Sequence, residues 1–325
     1  MIGIIAHHFS GHGKFDFPKD AITINRLWTQ FIIMGGSLGN SIFVLISGYF
    51  LVQSDGLKLK KILNIWSRVF FYSVTIFAIF IFSGLEPFKI RDALKSFMPL
   101  FFRNLWFASC WFSMYLLHPY LNTLIKNLDR KNYTQMLLIM GVLFSVIPTF
   151  KGANFISSLG MFVFLYFIAG YIRLYADDFG SKNFIWLGIL GIALNFLSVV
   201  IFDFLGLYIA RVAKNPTYFY GMNRPTILFI VLSLFIGFKN LKIKMNYSPL
   251  INLIAAATFG VYLIHDNPFV RKFLWITFFK NASYQDSPYL VIYSIGVIIL
   301  VYVVCTVLEI LRSKLFKLFT RGYCS

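Results

Sequence analysis

Nine stretches of this chain are apolar for about as long as a helix needs to cross a bilayer, and that feature narrows the possible folds more than any other. They lie at 32–52, 62–84, 105–125, 134–150, 155–172, 184–204, 225–238, 250–264 and 289–311. A helical span takes about 20 mostly apolar residues, so the windows at 225–238 and 250–264 are expected to extend by a few residues. A tenth stretch, residues 1–6, is only half a span, because His7 and His8 follow and the chain is polar by residues 11–14. It has neither a basic leader nor an apolar run long enough for a signal peptide. The expectation is a first helix cut short at this start, with Met1 an internal methionine of a longer reading frame. The fold class expected is therefore all-α: a polytopic membrane bundle of about ten helices, a single membrane domain over 1–325 with no appended soluble domain.

Composition supports lipid as the solvent. The 325 residues are 58% hydrophobic and 13% charged, against about 45–50% and about 25% in soluble domains. A net charge of +18 would point to nucleic acid in a soluble protein. Here the basic residues sit between apolar runs, where membrane topology puts them, so no nucleic-acid partner is expected. Lys58, Lys60, Lys61 and Arg68 form one cluster; Lys126, Arg130 and Lys131, then Arg173 and Lys182, then Lys239, Lys242 and Lys244, and finally Arg312, Lys314, Lys317 and Arg321 form the others. These alternate along the chain and assign one face to the cytoplasm, with both termini there. Opposite loops carry Lys89, Arg91, Lys95, Arg211 and Lys214, but more sparsely. The expected location is the plasma membrane.

Cys110, Cys305 and Cys324 have no C-x-x-C spacing, so neither a disulfide framework nor a cysteine zinc site is indicated. No motif-level repeat is visible, which disfavours the inverted-repeat transporter folds.

Five segments could carry chemistry. In Ile4-Ile5-Ala6-His7-His8, ionisable groups end an apolar run, where they are rare and functional by default. A neutral histidine in an apolar pocket can take a proton from a hydroxyl. His-His-x-x-x-His at 7–12 also suits a metal, but no carboxylate is close enough in sequence to make that specific, and no metal is expected. Ser47-Gly48 lets helices approach closely. The basic run Lys58–Lys61 with Arg68 suits a phosphorylated ligand. Trp106-Phe107 with residues 115–122, and Phe259-Gly260-Val261-Tyr262-Leu263-Ile264-His265-Asp266-Asn267, complete the set. In the last span Glu309 and Arg312 share a helix face and are expected to pair.

Taken in order, Ile-Ile-Ala-His-His at 4–8, Ile-Phe-Val-Leu-Ile-Ser-Gly-Tyr-Phe-Leu at 42–51, Trp-Phe at 106–107, Tyr-Leu-Leu-His-Pro-Tyr-Leu-Asn at 115–122 and Phe-Gly-Val-Tyr-Leu-Ile-His at 259–265 resemble acyltransferase family 3, the membrane O-acyltransferases. The resemblance covers essentially the whole chain. It implies transfer of an acetyl or other short acyl group from acyl-CoA, as co-substrate and not a bound cofactor, to a hydroxyl of a surface polysaccharide or lipid-linked glycan. The family's essential histidine falls on His8, and its basic motif on Lys58, Lys61 and Arg68, with lysines replacing some arginines. Acceptor contacts are expected at Asn40, Trp106 and His265. Two departures stand out: the arginine about ten residues before the histidine is missing, and Asn40 occupies a position that is often acidic. The rival reading is a multi-pass transporter or flippase for a glycan or small solute.

Overall fold

The structure is a computed structural model and describes all residues except 19, 55, 152–156, 176–181, 242–247 and 322–325. Lys242, Lys244, Cys324 and the start of the 155–172 window lie outside the described residues, as do the side chains of Lys182 and Arg321.

Every described element is helical: α1 (Ile2–Gly11), α2 (Ile24–Leu51), α3 (Leu59–Phe82), α4 (Ile90–Phe97), α5 (Trp106–Asn127), α6 (Arg130–Gly141), α7 (Ile147–Lys151), α8 (Ser158–Tyr175), α9 (Lys182–Gly206), α10 (Ala210–Ala213), α11 (Pro225–Lys239), α12 (Pro249–His265), α13 (Pro268–Lys272) and α14 (Leu290–Arg321), with short π and 3₁₀ turns between some of them. Helices are the natural outcome for such a chain, because in lipid each backbone N–H and C=O has to find its partner within the segment. The ends are marked locally. Thr23, Asp129 and Ser248 accept hydrogen bonds from the backbone N–H groups of Arg26, Asn132 and Ile251, and prolines open α11, α12 and α13, where a missing N–H costs nothing.

Among the described residues seven helices are long and apolar enough to cross a membrane, and eight if the pair Pro249–His265 and Pro268–Tyr284, bent by 72°, counts as one span. The chain is thus a polytopic α-helical membrane protein, and of the expected ten spans seven or eight are found among the described residues. The first of the shortfalls is α1, whose ten residues rise only about 15 Å against a hydrocarbon core of about 30 Å. The second is α5, which is helical across the expected window but carries Ser109, His118 and Asn122, all buried, and is less apolar than the other spans.

The chain divides into two compact units. One comprises Met1–Asp16, Leu63–Ala108 and Ile243–Ser325. In it α12 and α1 both pack on α14, while α14 leaves Leu300, Val303, Val304, Val307 and Leu308 exposed, a stripe suited to lipid. Gly260 of α12 provides the room for Glu309 of α14: a Cβ there would collide with the carboxylate. The other unit comprises Phe17–Ile62 and Ser109–Lys242. Its α2 packs on α8, and α11 on α9. A Cβ on Gly48 would lie 3.0 Å from the Ala169 Cβ and 3.2 Å from the Tyr166 ring, so the Ser47-Gly48 motif does set a close helix approach. A buried ion pair, Arg26 Nη2 to Asp203 Oδ1 at 2.6 Å, adds a polar tie; Arg26 Nη1 also donates to the carbonyls of Pro18 and Ala21.

Candidate functional site

In the first unit the end of α1 meets the end of α12. Ile4, Ile5 and Phe9 are buried and fix the face that α1 presents; His8, four residues from Ile4, shares it. His8 is 7% exposed, His265 0% and Asp266 1%. The chain breaks after His265 because Asp266 leaves the helical conformation and Asn267 caps the new helix that Pro268 begins. That break puts the His265 ring and the Asp266 carboxylate beside His8, although more than 250 residues separate them in sequence.

The hydrogen bonds order the protons. His265 Nδ1 lies 2.6 Å from the Val261 carbonyl, which can only accept, so Nδ1 carries the hydrogen. In the neutral ring Nε2 of His265 is then an acceptor. It lies 3.0 Å from His8 Nδ1, which therefore donates. The remaining nitrogen of His8, Nε2, keeps its lone pair and stands 3.5 Å from Asp266 Oδ1. Three groups in sequence thus leave His8 as the Nδ1–H tautomer with a basic Nε2 in an apolar interior.

Arg271, on the short α13, turns back onto the same carboxylate: Nη2 is 2.7 Å from Asp266 Oδ1 and donates to the Asp266 carbonyl at 3.0 Å. The rings of His7 and His12 lie 5.4 and 5.1 Å from that of His8. Four of the chain's five histidines therefore gather here. His12 stands beyond the end of α1; burial first, and the Arg271 charge second, lower its pKa to about 4, so its ring is neutral at pH 7.

The other expected site residues lie as follows. Lys58 and Lys61 are exposed and belong to the second unit, with the Lys61 ammonium 4.9 Å over the Tyr115 ring. Arg68 belongs to the first unit and faces a carboxylate, with Nη1 3.7 Å from Glu309 Oε1. Glu309 and Arg312 pair as expected, through two hydrogen bonds of 2.7 and 2.8 Å, and Tyr72 donates to the same carboxylate at 2.5 Å. Asn40, on α2, has a buried Oδ1 without a hydrogen-bond partner. Trp106 is half-buried at the start of α5. His265 has both ring nitrogens engaged.

Sequence reasoning singled out His8, His265 and Asp266 but did not join them, and it passed over Arg271. A signal was present: a His-Asp-Asn-Pro step ending an apolar run marks a broken helix, and breaks in apolar helices line polar sites.

The fold and the site define a polytopic α-helical membrane protein that holds an imidazole of fixed tautomer against a buried carboxylate. More narrowly, the chain belongs to acyltransferase family 3: that family's model, described as an acyltransferase domain, matches residues 1–308. No match was found among curated proteins or among solved structures.

Proposed function

We propose that the protein is a membrane O-acyltransferase that moves an acetyl or other short acyl group from acyl-CoA to a hydroxyl of a surface polysaccharide or lipid-linked glycan, with His8 as general base. The observation that carries this reading is the proton order Val261 C=O to His265 to His8, which leaves His8 Nε2 unprotonated.

His8 Nε2 takes the proton of the acceptor hydroxyl as its oxygen attacks the thioester carbonyl. The carbon–sulfur bond then breaks, and the proton returns from His8 to the departing coenzyme A thiolate. The products are an ester and a thiol, and the histidine is restored. While the imidazole is protonated, the Asp266 carboxylate at 3.5 Å stabilises the positive charge, and the Nδ1–H held by His265 keeps the ring from turning. A base in this role contributes about 10²–10⁴-fold. Lys58 and Lys61 suit the donor's phosphates as flexible point charges, whereas bidentate contact would need arginine. Arg68 already faces the Glu309 carboxylate, which Arg312 also pairs. Asn40, with its open acceptor oxygen, and Trp106 suit a polyhydroxylated acceptor. His265 is better fitted to orient His8 than to touch the acceptor, because both its nitrogens are used.

The test uses the purified full chain in lipid nanodiscs with acyl-labelled acyl-CoA and a panel of glycan acceptors. Label should pass to the acceptor, free thiol should appear in equal amount, and both should be lost in His8→Ala. Turnover that survives the substitution removes His8 as the base. Transport of the glycan without thioester turnover favours the transporter reading.

A further inference from the structure

The 7–12 histidine spacing lacks a carboxylate in sequence, and the fold supplies one. His8, His12 and Asp266 each present a ligand atom, and these atoms lie within 4.8 Å of one another. The 3.5 Å between His8 Nε2 and Asp266 Oδ1 is too long for a good hydrogen bond. It is close to the ligand–ligand edge of a tetrahedral ion, about 3.4 Å for metal–ligand bonds of about 2.0–2.1 Å. We propose that His8 Nε2, a ring nitrogen of His12 and a carboxylate oxygen of Asp266 form a site for a zinc-class divalent cation, and that the cation switches the enzyme off by consuming the His8 lone pair.

The surroundings are those a metal-binding imidazole needs. A ligating histidine ordinarily gives its other N–H to an acceptor that fixes the ring, and His8 Nδ1 gives its N–H to His265. Asp266 Oδ2 is buried and makes no hydrogen bond of regular geometry among the described residues, with the Tyr262 hydroxyl beside the carboxylate. His12 presents a ring nitrogen to the other two ligand atoms and is half-buried, so it offers the edge from which an ion would arrive. Three protein ligands leave a fourth position for water, the pattern of exchangeable sites as opposed to closed structural ones. Two imidazoles and one carboxylate favour Zn²⁺, Co²⁺, Ni²⁺ or Cu²⁺ over Mg²⁺ and Ca²⁺, which take oxygen ligands. Arg271 opposes the ion: its guanidinium at 2.7 Å from Oδ1 places a like charge beside the incoming cation. The balance points to a reversible regulatory ion. Binding rests on the geometry alone; inhibition also rests on the transferase reading.

Co²⁺ is the probe, added to the full chain purified in detergent after chelator treatment. One equivalent should bind saturably and give the strong visible absorption of a four-coordinate ion. Zn²⁺ should displace it and Mg²⁺ should not. The absorption should vanish in His12→Asn and in Asp266→Asn, with the monodisperse elution and thermal transition of His12→Asn confirming that the variant is folded. In transfer assays Zn²⁺ should inhibit and a chelator should restore the rate. The half-inhibitory concentration should rise at least tenfold in His12→Asn, each rate normalised to that variant's own uninhibited value. Absence of saturable Co²⁺ uptake, or equal uptake by wild type and His12→Asn, overturns the site. Uptake without inhibition of an active enzyme overturns the switch. If no acyl transfer is found with any acceptor, the transferase reading fails while the Co²⁺ titration still decides the site.

Discussion

His265 in the first unit and His118 in the second are both fully buried, and each ties Nδ1 to a carbonyl of its own helix, Val261 at 2.6 Å and Tyr115 at 2.5 Å. What faces Nε2 separates them. For His118 it is the Ser54 hydroxyl at 2.8 Å; with Nδ1–H given to Tyr115, Nε2 accepts the hydroxyl proton, and its lone pair is taken by a neighbouring side chain. For His265 it is a second imidazole, and the chain ends on an open lone pair next to a carboxylate. The same local device gives a structural tie in one unit and a poised base in the other. Burial of a histidine among apolar helices is therefore not by itself a sign of chemistry; an unsatisfied basic atom at the end of the chain is.

This contrast can be broken at several points. The largest effect belongs to His8→Ala: acyl transfer should fall about 10²–10⁴-fold with helix content unchanged, read by label transfer alongside circular dichroism. A residual rate within a factor of a few of wild type would erase the distinction between the two histidines. His265→Ala should lower kcat about 10- to 100-fold, the usual cost of losing a group that orients a functional imidazole. KM for the donor should hold, and the pH profile should change because His8 is no longer fixed in one tautomer. Loss of activity only in proportion to loss of folded protein would return His265 to a structural role alongside His118.

His118→Ala should act the other way round. The rate per folded molecule should stay near wild type while stability falls by about 1–3 kcal/mol, since the buried Tyr115 carbonyl, which has no N–H from Pro119 to accept, loses its partner; thermal unfolding in detergent measures it. Gly260→Ala tests the frame that carries His265. The added methyl meets the Glu309 carboxylate, and overpacking of this kind costs about 1–3 kcal/mol, read as a lower transition temperature. Smallest is Ser54→Ala, at about 1 kcal/mol or less, with no change in transfer rate.

Much of the architecture could be read from the chain. Runs such as 184–204 and 289–311 are apolar enough that only a membrane span accommodates them, and Thr23, Asp129 and Pro249 mark helix starts by rules that operate within four residues. The count was less legible. Residues 105–125 are apolar in bulk, yet α5 buries Ser109, His118 and Asn122. Residues 250–264 look like an ordinary short span, whereas the chain bends by 72° beyond them. In the site, His8 stood out because ionisable residues are costly at the end of an apolar run. Its partners did not, because a 257-residue separation leaves no trace in local spacing. Arg271 was passed over because an arginine after a helix break resembles any interfacial charge until α13 turns it back onto Asp266.

The sequence alone determined that the chain lives in lipid as helices: backbone polar groups cannot stay unpaired in hydrocarbon, and the apolar runs are long enough to demand it. It also put a histidine where charge is expensive. Only the tertiary structure decided which atom of that histidine is basic, because the proton's place depends on whether Val261, His265 and Asp266 converge on one ring, and that convergence is set by helix packing across the length of the chain.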